Sequence, residues 1–402
     1  MISLKNERTI PRGFMLLMLA FFGSIVILSL IDLFTENTED WFIAFALAAG
    51  LLLYGLAAHG LLRIRREGHF LALLISLSLG IRLVWILTAD TVPQSDFALM
   101  YNAALRAAQG DFSFSADPYF VTWPYQMGFT LYQALVLRLT GSGILALKLM
   151  NCLVSAGTML LVYKTGSRLL SEGAGRLAGF LFSVYPPAFM MDSVLSNQQL
   201  AVFLFYLGFY LLLRRERARW PVYLLVGLLF ALGQVIRPLA AVVLTCFALY
   251  QLLRRLLTKE KGLLLNGALT LLTYFTAVTL ISQLLIAGGL SPYGLKNRDP
   301  LWKFVTGSNY AETGQYSAAD AAYVSQFPLG EEREQAELQL IRARTADPVV
   351  VGKLMLKKFA RFWGGKDNLF WSVRPGRFLN YAELVEQSLY VLAMLAAFFG
   401  AF

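Results

Sequence analysis

Runs of about twenty apolar residues recur along this chain from one end to the other, and they constrain its fold more than any motif does. A hydrocarbon core about 30 Å thick is crossed by about 20 helical residues. Within it every backbone N–H and C=O must be satisfied inside the segment, so the chain is expected to be an all-α, polytopic membrane protein. Candidate spans fall at 13–33, 41–62, 70–89, 143–163, 174–190, 198–213, 221–236, 239–253, 264–286 and 384–402. The first is too long for a cleavable signal peptide, no small-residue cleavage site follows it, and further spans come after it. Composition agrees: 57% of the residues are hydrophobic and 15% charged, against about 25% charged in an ordinary soluble domain.

Lys and Arg fall at every second connection: Lys5/Arg8/Arg12, Arg63/Arg65/Arg66, Lys164/Arg168/Arg176, Arg214/Arg215/Arg217/Arg219 and Arg254/Arg255/Lys259/Lys261. The intervening connections are acidic or nearly free of cations, as in Asp32/Glu36/Glu39/Asp40 and in 90–126, where Arg106 stands alone. By the excess of positive charge on cytoplasmic loops, the N-terminus is expected inside a plasma membrane. The net charge of +10 then reflects topology and contact with anionic lipid, and nucleic acid need not be invoked.

Cys152 and Cys246 both lie in apolar runs, too few for a disulfide framework or a cysteine zinc site. His59 and His69 flank a basic cytoplasmic loop, which argues against histidine-based triads or metal clusters on the outer side. The cytoplasmic connections are short and hold no Gly-rich phosphate loop, so chemistry is expected in the two long polar regions outside, Asp90 to about Leu139 and about Ala287 to Glu383.

In the first, Pro93 stops the span and Ser95 or Asp96 can cap a helix whose Phe97, Met100, Tyr101, Ala104, Leu105 and Ala108 share a face. That helix is expected in the interface, with Asp96 at its start either as a cap or as a functional carboxylate stabilised by the helix dipole. Pro186 and Pro187 break the fifth run near the surface, where Asp192 emerges as a second acid, a metal ligand or a capping residue. Arg82, Lys148 and Arg237 are the scarce cations near this side. Lys148 and Arg237 read either as snorkelling side chains or as a clamp on a lipid phosphate. Lys353, Lys357, Lys358 and Arg361 alternate with Leu354, Leu356, Phe359, Phe362 and Trp363 in an amphipathic helix that anchors to anionic headgroups or touches a substrate phosphate.

The segments PQSDFALMYNAALRAAQGD, DPYFVTWPYQMGFTLYQALVLRLTG, ALKLMN and GRLAGFLFSVYPPAF, in that order and on that membrane side, resemble polytopic GT-C glycosyltransferases. Within these they resemble family 39, with its protein O-mannosyltransferases and lipid A aminoarabinose transferases. The likeness is good over about residues 70–215 and looser through IRP and VTGSN. The resemblance implies a GT-C-like helix bundle, with a core at 70–286 and its catalytic first outer loop at 90–140; around it the spans give a transmembrane hairpin at 1–69 that precedes the family's usual start, an extracytoplasmic region at 287–383 with an interfacial helix, and a last helix at 384–402. It also implies a polyprenyl (undecaprenyl) phosphate sugar as donor, a glycan, lipid or protein hydroxyl of the cell envelope as acceptor, and Asp96 as base. Relatives often carry Glu-Lys where this chain has Val121-Thr122 before Trp123-Pro124, so Lys148 or Arg237, with Lys357 and Lys358, must meet the donor phosphate instead. Tyr101, Trp123 and Asn309 are the candidate substrate-loop residues, and Asp192 is the candidate second acid, a place that Gln198 or Gln199 could equally fill. No residue is assigned to a metal, although a divalent ion stays open.

This chemistry suits the residues. The lipid phosphate leaves as a weak base without a strong general acid, whereas the acceptor hydroxyl must lose a proton, and one carboxylate suffices to take it. Direct displacement with one base gives inversion. A transporter or lipid flippase is the alternative, and polar mass outside clean spans with no internal repeat weighs against it. The chain stops at Phe402 inside a span where relatives commonly continue, which adds a non-catalytic remnant as a third reading.

Overall fold

In the computed structural model, residues 12–36, 40–141, 143–214, 219–258, 262–367 and 369–400 are described. Lys5, Arg8, Glu39, Arg215, Arg217, Lys259, Lys261 and Phe402, used in the charge and end arguments above, lie outside them. The described elements are all helical. In chain order they are α1 (Arg12–Glu36), α2 (Asp40–Arg63), α3 (Glu67–Thr88), α4 (Ser95–Ala108), α5 (Pro118–Thr122), α6 (Met127–Thr140), α7 (Ile144–Leu169), α8 (Glu172–Val184) and α9 (Pro186–Met190). There follow α10 (Gln198–Arg214), α11 (Trp220–Ile236), α12 (Ala240–Thr258), α13 (Leu263–Ala287), α14 (Trp302–Ser308), α15 (Ala318–Val324), α16 (Glu331–Thr345), α17 (Pro348–Gly364) and α18 (Arg377–Gly400).

Over their described residues the apolar runs of the sequence are largely helical. Among the described residues six helices are long and apolar enough to cross a membrane: Met15–Thr35, Trp41–Leu61, Glu67–Thr88, Ile144–Leu169, Leu263–Ala287 and Arg377–Gly400. The protein is thus an all-α, multi-pass membrane protein with the helix bundle expected of a GT-C-like fold. Helices α10 and α11 are apolar but only 17 residues each, and α8 has 13. Large apolar side chains stand on the outside of the spans, such as Leu87 and Leu264, as suits helices solvated by lipid rather than water.

Local sequence explains the breaks. Ser171 caps α8 by accepting from the Ala174 amide at 3.1 Å, and Pro186 cannot continue it, so α8 stops at Val184 and the short α9 restarts at the proline. Between α7 and α8 the backbones approach so closely that a Cβ on Gly175 would lie 2.5 Å from the Tyr163 carbonyl oxygen, the small-residue contact that membrane helices use where apolar burial gives no net gain.

The chain divides into two compact units. The first holds residues 52–296 and 369–379. Its core joins α4, α6, α7, α10, α11, α12 and α13 through buried Met100, Phe114, Met127, Phe205, Tyr223 and Phe230. The second holds residues 12–51, 297–367 and 380–400. In it Leu33, Ile43, Ala46, Leu384 and Val391 pack α1, the first half of α2 and α18 together. The expected amphipathic helix is α17, capped by the Asp347 carboxylate on the Val349 amide at 2.8 Å. Its Trp363 ring lies edge-on to Phe21 of α1 at 5.1 Å, and a side chain at Gly364 would strike Leu28, so its last turns run beside the middle of α1. In the polar part of this unit Arg333 pairs with Asp299 at 3.2 Å, and burial with the Asp299 carboxyl alongside pushes the fully buried Glu337 up to about 8.

Candidate functional site

All site residues described first belong to the first unit. The chain leaves α3 at Thr88, and α4 begins at Ser95. The cap position is Gln94, in extended conformation, rather than Ser95 or Asp96, and Ser95 itself has φ 49°. A left-handed serine costs on the order of 1 kcal/mol or more, held in place by the structure around it. The next residue is Asp96, in the first turn of α4, where the helix dipole favours a carboxylate. Its side chain keeps solvent contact. Crowding by the surrounding protein pushes its carboxyl above the ordinary range, and the nearby Tyr119 hydroxyl opposes that rise.

Tyr119 is the first of a connected series. Gln126 donates from Nε2 to the Tyr119 hydroxyl oxygen at 3.0 Å. Asn197 donates from Nδ2 to Gln126 Oε1 at 3.4 Å, and Arg237 donates from its guanidinium to Asn197 Oδ1. Four elements supply these groups: α5, the turn Pro124–Gln126 before α6, the segment before α10, and the residue closing α11. Their approach depends on Gly128, where a Cβ would sit 2.1 Å from the Val235 carbonyl oxygen. Any larger residue there would separate the start of α6 from the end of α11, and Gln126 from Arg237 with it. Arg237 is half-buried, and among the described contacts its guanidinium meets no carboxylate.

Asn197 is held because the loop before it is tied down along its length. Trp85 donates from Nε1 to the Met190 carbonyl at 2.8 Å. Asn151 donates to the carbonyls of Asp192 and Val194 at 3.2 and 3.0 Å, and Gln199 to that of Met191 at 2.7 Å. At the loop's centre Asp192 forms an ion pair with Arg82 at 3.0 Å, both side chains wholly buried. Arg82 also donates to Ser155 Oγ at 3.1 Å and to the Ser78 hydroxyl at 2.8 Å. Asp192 therefore sits inside the bundle instead of emerging at a surface.

Lys148 donates to the Thr91 carbonyl at 2.9 Å and is buried, which braces the start of the first outer loop. Tyr101 packs against the core of the unit beside Gly143, and Trp123 lies edge-on to Tyr119 at 5.3 Å. Lys357, Lys358 and Asn309 belong to the second unit. There Lys358 donates to the Gly307 carbonyl at 3.0 Å, Lys357 sits over the Tyr310 ring at 4.1 Å, and Asn309 donates to Asp320 at 2.8 Å. Arg344 and Asn309 hold the Asp320 carboxyl below its usual range.

Tyr119, Gln126 and Asn197 do not stand out in the sequence, although Tyr119 and Gln126 lie in the DPYFVTWPYQMGF stretch. Neutral amides and a tyrosine next to apolar residues give no signal of their own until a partner is seen. Among the described residues no group of three or more His, Cys, Asp or Glu is placed to hold a metal ion. The first unit also carries an open apolar groove of about 490 Å³ along α3, lined by Gly80, Val84, Trp85 and Phe189 among others, with no ionisable side chain in its wall.

Residues 127–283 match the family model described as dolichyl-phosphate-mannose-protein mannosyltransferase. The matched part is less than half of the chain and contains Lys148, Asp192, Asn197 and Arg237, whereas Asp96, Tyr119 and Gln126 precede it. No curated protein matches the chain. This part of the protein is similar to that family, and with the helical membrane architecture the similarity supports a membrane glycosyltransferase of the GT-C type.

Proposed function

We propose that the protein transfers a sugar from a polyprenyl phosphate to a hydroxyl acceptor at the outer face of the membrane, with inversion and with Asp96 as the base. The acceptor oxygen attacks the anomeric carbon, the bond from that carbon to the phosphate oxygen breaks, the lipid phosphate departs, and the acceptor proton passes to Asp96. Arg237 meets the charge growing on the departing phosphate. Lys148, spent on a backbone carbonyl, supports the loop. Lys357 and Lys358 are further donor-phosphate candidates, Tyr101, Trp123 and Asn309 remain the substrate-loop candidates, and Asp192 acts through Arg82 as part of the frame.

The observation that carries this reading is a half-buried arginine with no carboxylate partner among the described contacts, joined through Asn197 and Gln126 to Tyr119, near which lies a carboxylate of raised proton affinity, in a chain part of which is similar to a mannosyltransferase family. An unneutralised guanidinium in a low-dielectric setting is a strong site for a phosphate. The apolar groove on α3 suits an isoprenoid chain. The direct test incubates the purified full chain with a radiolabelled polyprenyl phosphate mannose and envelope extract. Transfer of label by the wild type and its loss in Asp96→Asn support the proposal, and wild-type transfer in Asp96→Asn excludes this residue as base. Accessibility labelling of cysteines placed in the 90–126 loop tests the membrane side. Labelling from the cytosol would overturn the assignment to the outer face.

A further inference from the structure

The start of α4 is held from both sides by a segment 281 positions further along the chain. Residues 369–379 belong to the first unit, and they open with a 3₁₀ turn, Leu369–Trp371, in which Leu369 is wholly buried. From that turn onward the segment meets the residues around Asp96 at three points. The Thr91 hydroxyl donates to the Ser372 carbonyl at 3.0 Å. Arg374 forms an ion pair with Asp90, and the Trp371 ring stands edge-on to Phe97 at 5.3 Å. Asp90 and Thr91 precede Asp96 and Phe97 follows it, so the contacts bracket both Asp96 and the left-handed Ser95 before it. From this we infer that residues 371–374 are a clamp on the strained turn at Ser95, and that Thr91 is the positioning residue through which the clamp aims Asp96. The inference deepens the proposed function and rests on it.

A serine at φ 49° sits in a sparsely populated region and stays there only where its surroundings leave no alternative. The cap gives no such hold, because Gln94 makes no side-chain hydrogen bond to the helix. Beyond the packing of α4 on α6, the hold comes from the clamp, whose contacts are unequal. Arg374 and Asp90 are exposed by 73% and 75%, so solvent screens their pair and it contributes little. Thr91, Ser193 and Ser372 are buried, where a lost partner is costly. The Thr91 hydroxyl has one proton and the Ser372 carbonyl can only accept, which fixes the direction of that bond. The Ser193 hydroxyl, 3.0 Å from Thr91 Oγ1, is then the donor in their contact, since Trp85 already serves the Met190 carbonyl at 2.8 Å. Lys148 gives to the carbonyl of the same threonine at 2.9 Å. One residue thus ties the first outer loop to α7, to the loop that leads to Asn197, and to the clamp. If its hydroxyl is removed, Ser193 keeps the Met190 carbonyl at 2.9 Å as a partner. Loss of that hydroxyl therefore leaves the Arg237 side of the site tied and releases the Asp96 side.

The test reads geometry and turnover side by side in the detergent-solubilised full chain. Hydrogen–deuterium exchange of the Phe97 and Ala98 amides, which bond to the Gln94 carbonyl at 3.1 and 3.3 Å, reports whether the first turn of α4 is held. Thr91→Val keeps the shape and loses the hydroxyl, so these amides should exchange about tenfold faster while those of α7 stay as in the wild type. Transfer from radiolabelled polyprenyl phosphate mannose to envelope extract, at saturating donor, should fall about 10- to 100-fold in Thr91→Val with the donor KM within a few-fold of wild type. Thr91→Ser restores the donor and should return both readouts to near the wild-type values, and Arg374→Ala should lower the rate about twofold at most. Asparagine enters the left-handed region more readily than serine, so Ser95→Asn added to Thr91→Val should recover most of the rate. Unchanged exchange in Thr91→Val, exchange that rises equally in α7, or a double variant no faster than Thr91→Val overturns the clamp while leaving Asp96 as the base. A wild type that transfers no label overturns the proposed function, and the positioning role with it, whatever the exchange reads.

Discussion

The first unit holds two acid–base pairs that are built differently. Arg82 and Asp192 touch at 3.0 Å and are wholly buried, whereas Arg237 is bonded through Asn197 and Gln126 to Tyr119, whose hydroxyl lies near Asp96. In the contact pair each charge is the other's compensation, and serines and carbonyls absorb the remaining donors of Arg82. Among the described contacts the Asp192 oxygens have no hydrogen bond beyond that ion pair, but both side chains are sealed from solvent, and the pair serves to pin the loop after Pro186. In the spaced pair both ends keep partial exposure and neither is neutralised by the other, so each retains capacity for a reactant. Direct contact makes charge structural, while separation by neutral groups keeps it chemical.

The contrast can be broken most sharply at its acidic ends. Asp96→Asn should lower transfer by about 10²- to 10⁴-fold, the usual worth of a positioned base, with thermal unfolding in detergent unchanged. Unfolding shifted as much as activity would make Asp96 a framework residue like Asp192. Conversely, Asp192→Ala strands Arg82 and should destabilise the protein by about 3–5 kcal/mol, whereas Arg82→Met/Asp192→Leu together should recover most of that loss. A double variant as unstable as the single one would mean that the pair supplies something beyond mutual compensation. Less drastic is Gly128→Ala, which drives a methyl into the Val235 carbonyl and should cost about 1–3 kcal/mol together with donor affinity, read from unfolding and KM.

The smallest effect concerns pH. Because burial raises the Asp96 carboxyl and its active form is the carboxylate, transfer should rise with pH along a limb placed above the ordinary carboxylate value of about 3.9. Tyr119→Phe removes the hydroxyl that opposes the rise, so the kcat/KM limb should move to still higher pH. The matching stability contribution is present below the unfolded pKa and is lost as pH climbs through the raised one. A limb in the variant that stays put or moves down would separate Asp96 from Tyr119.

Much of the architecture was readable in the chain. Twenty-residue apolar runs admit one solution in lipid, so all of them became helices, and Pro186 ended α8 where a missing amide must end it. Asp96 and Arg237 stood out because charge is scarce beside apolar segments. Their intermediaries did not, since Gln126 and Asn197 are uncharged and their hydrogen bonds join residues 71 and 40 positions apart. Asp192 was misplaced outside the bundle for a similar reason, as its partner Arg82 lies more than a hundred residues upstream. The N-terminus of α4 also departs from the simple capping rule: Ser95 turns left-handed, and Gln94 takes the cap position without a side-chain hydrogen bond.

The order of residues by itself therefore determined that this is a helical membrane protein, where its helices break, and which rare charges need an explanation. These are local consequences of hydrophobic length, missing donors and the cost of charge in a lipid solvent, each settled within one segment. Only the tertiary structure decided which charge meets which. Pairing depends on distances between segments far apart in the chain, set by close contacts such as Gly128 against Val235. A carboxylate becomes framework or functional group according to whether packing brings a cation into contact with it or keeps that cation at a distance.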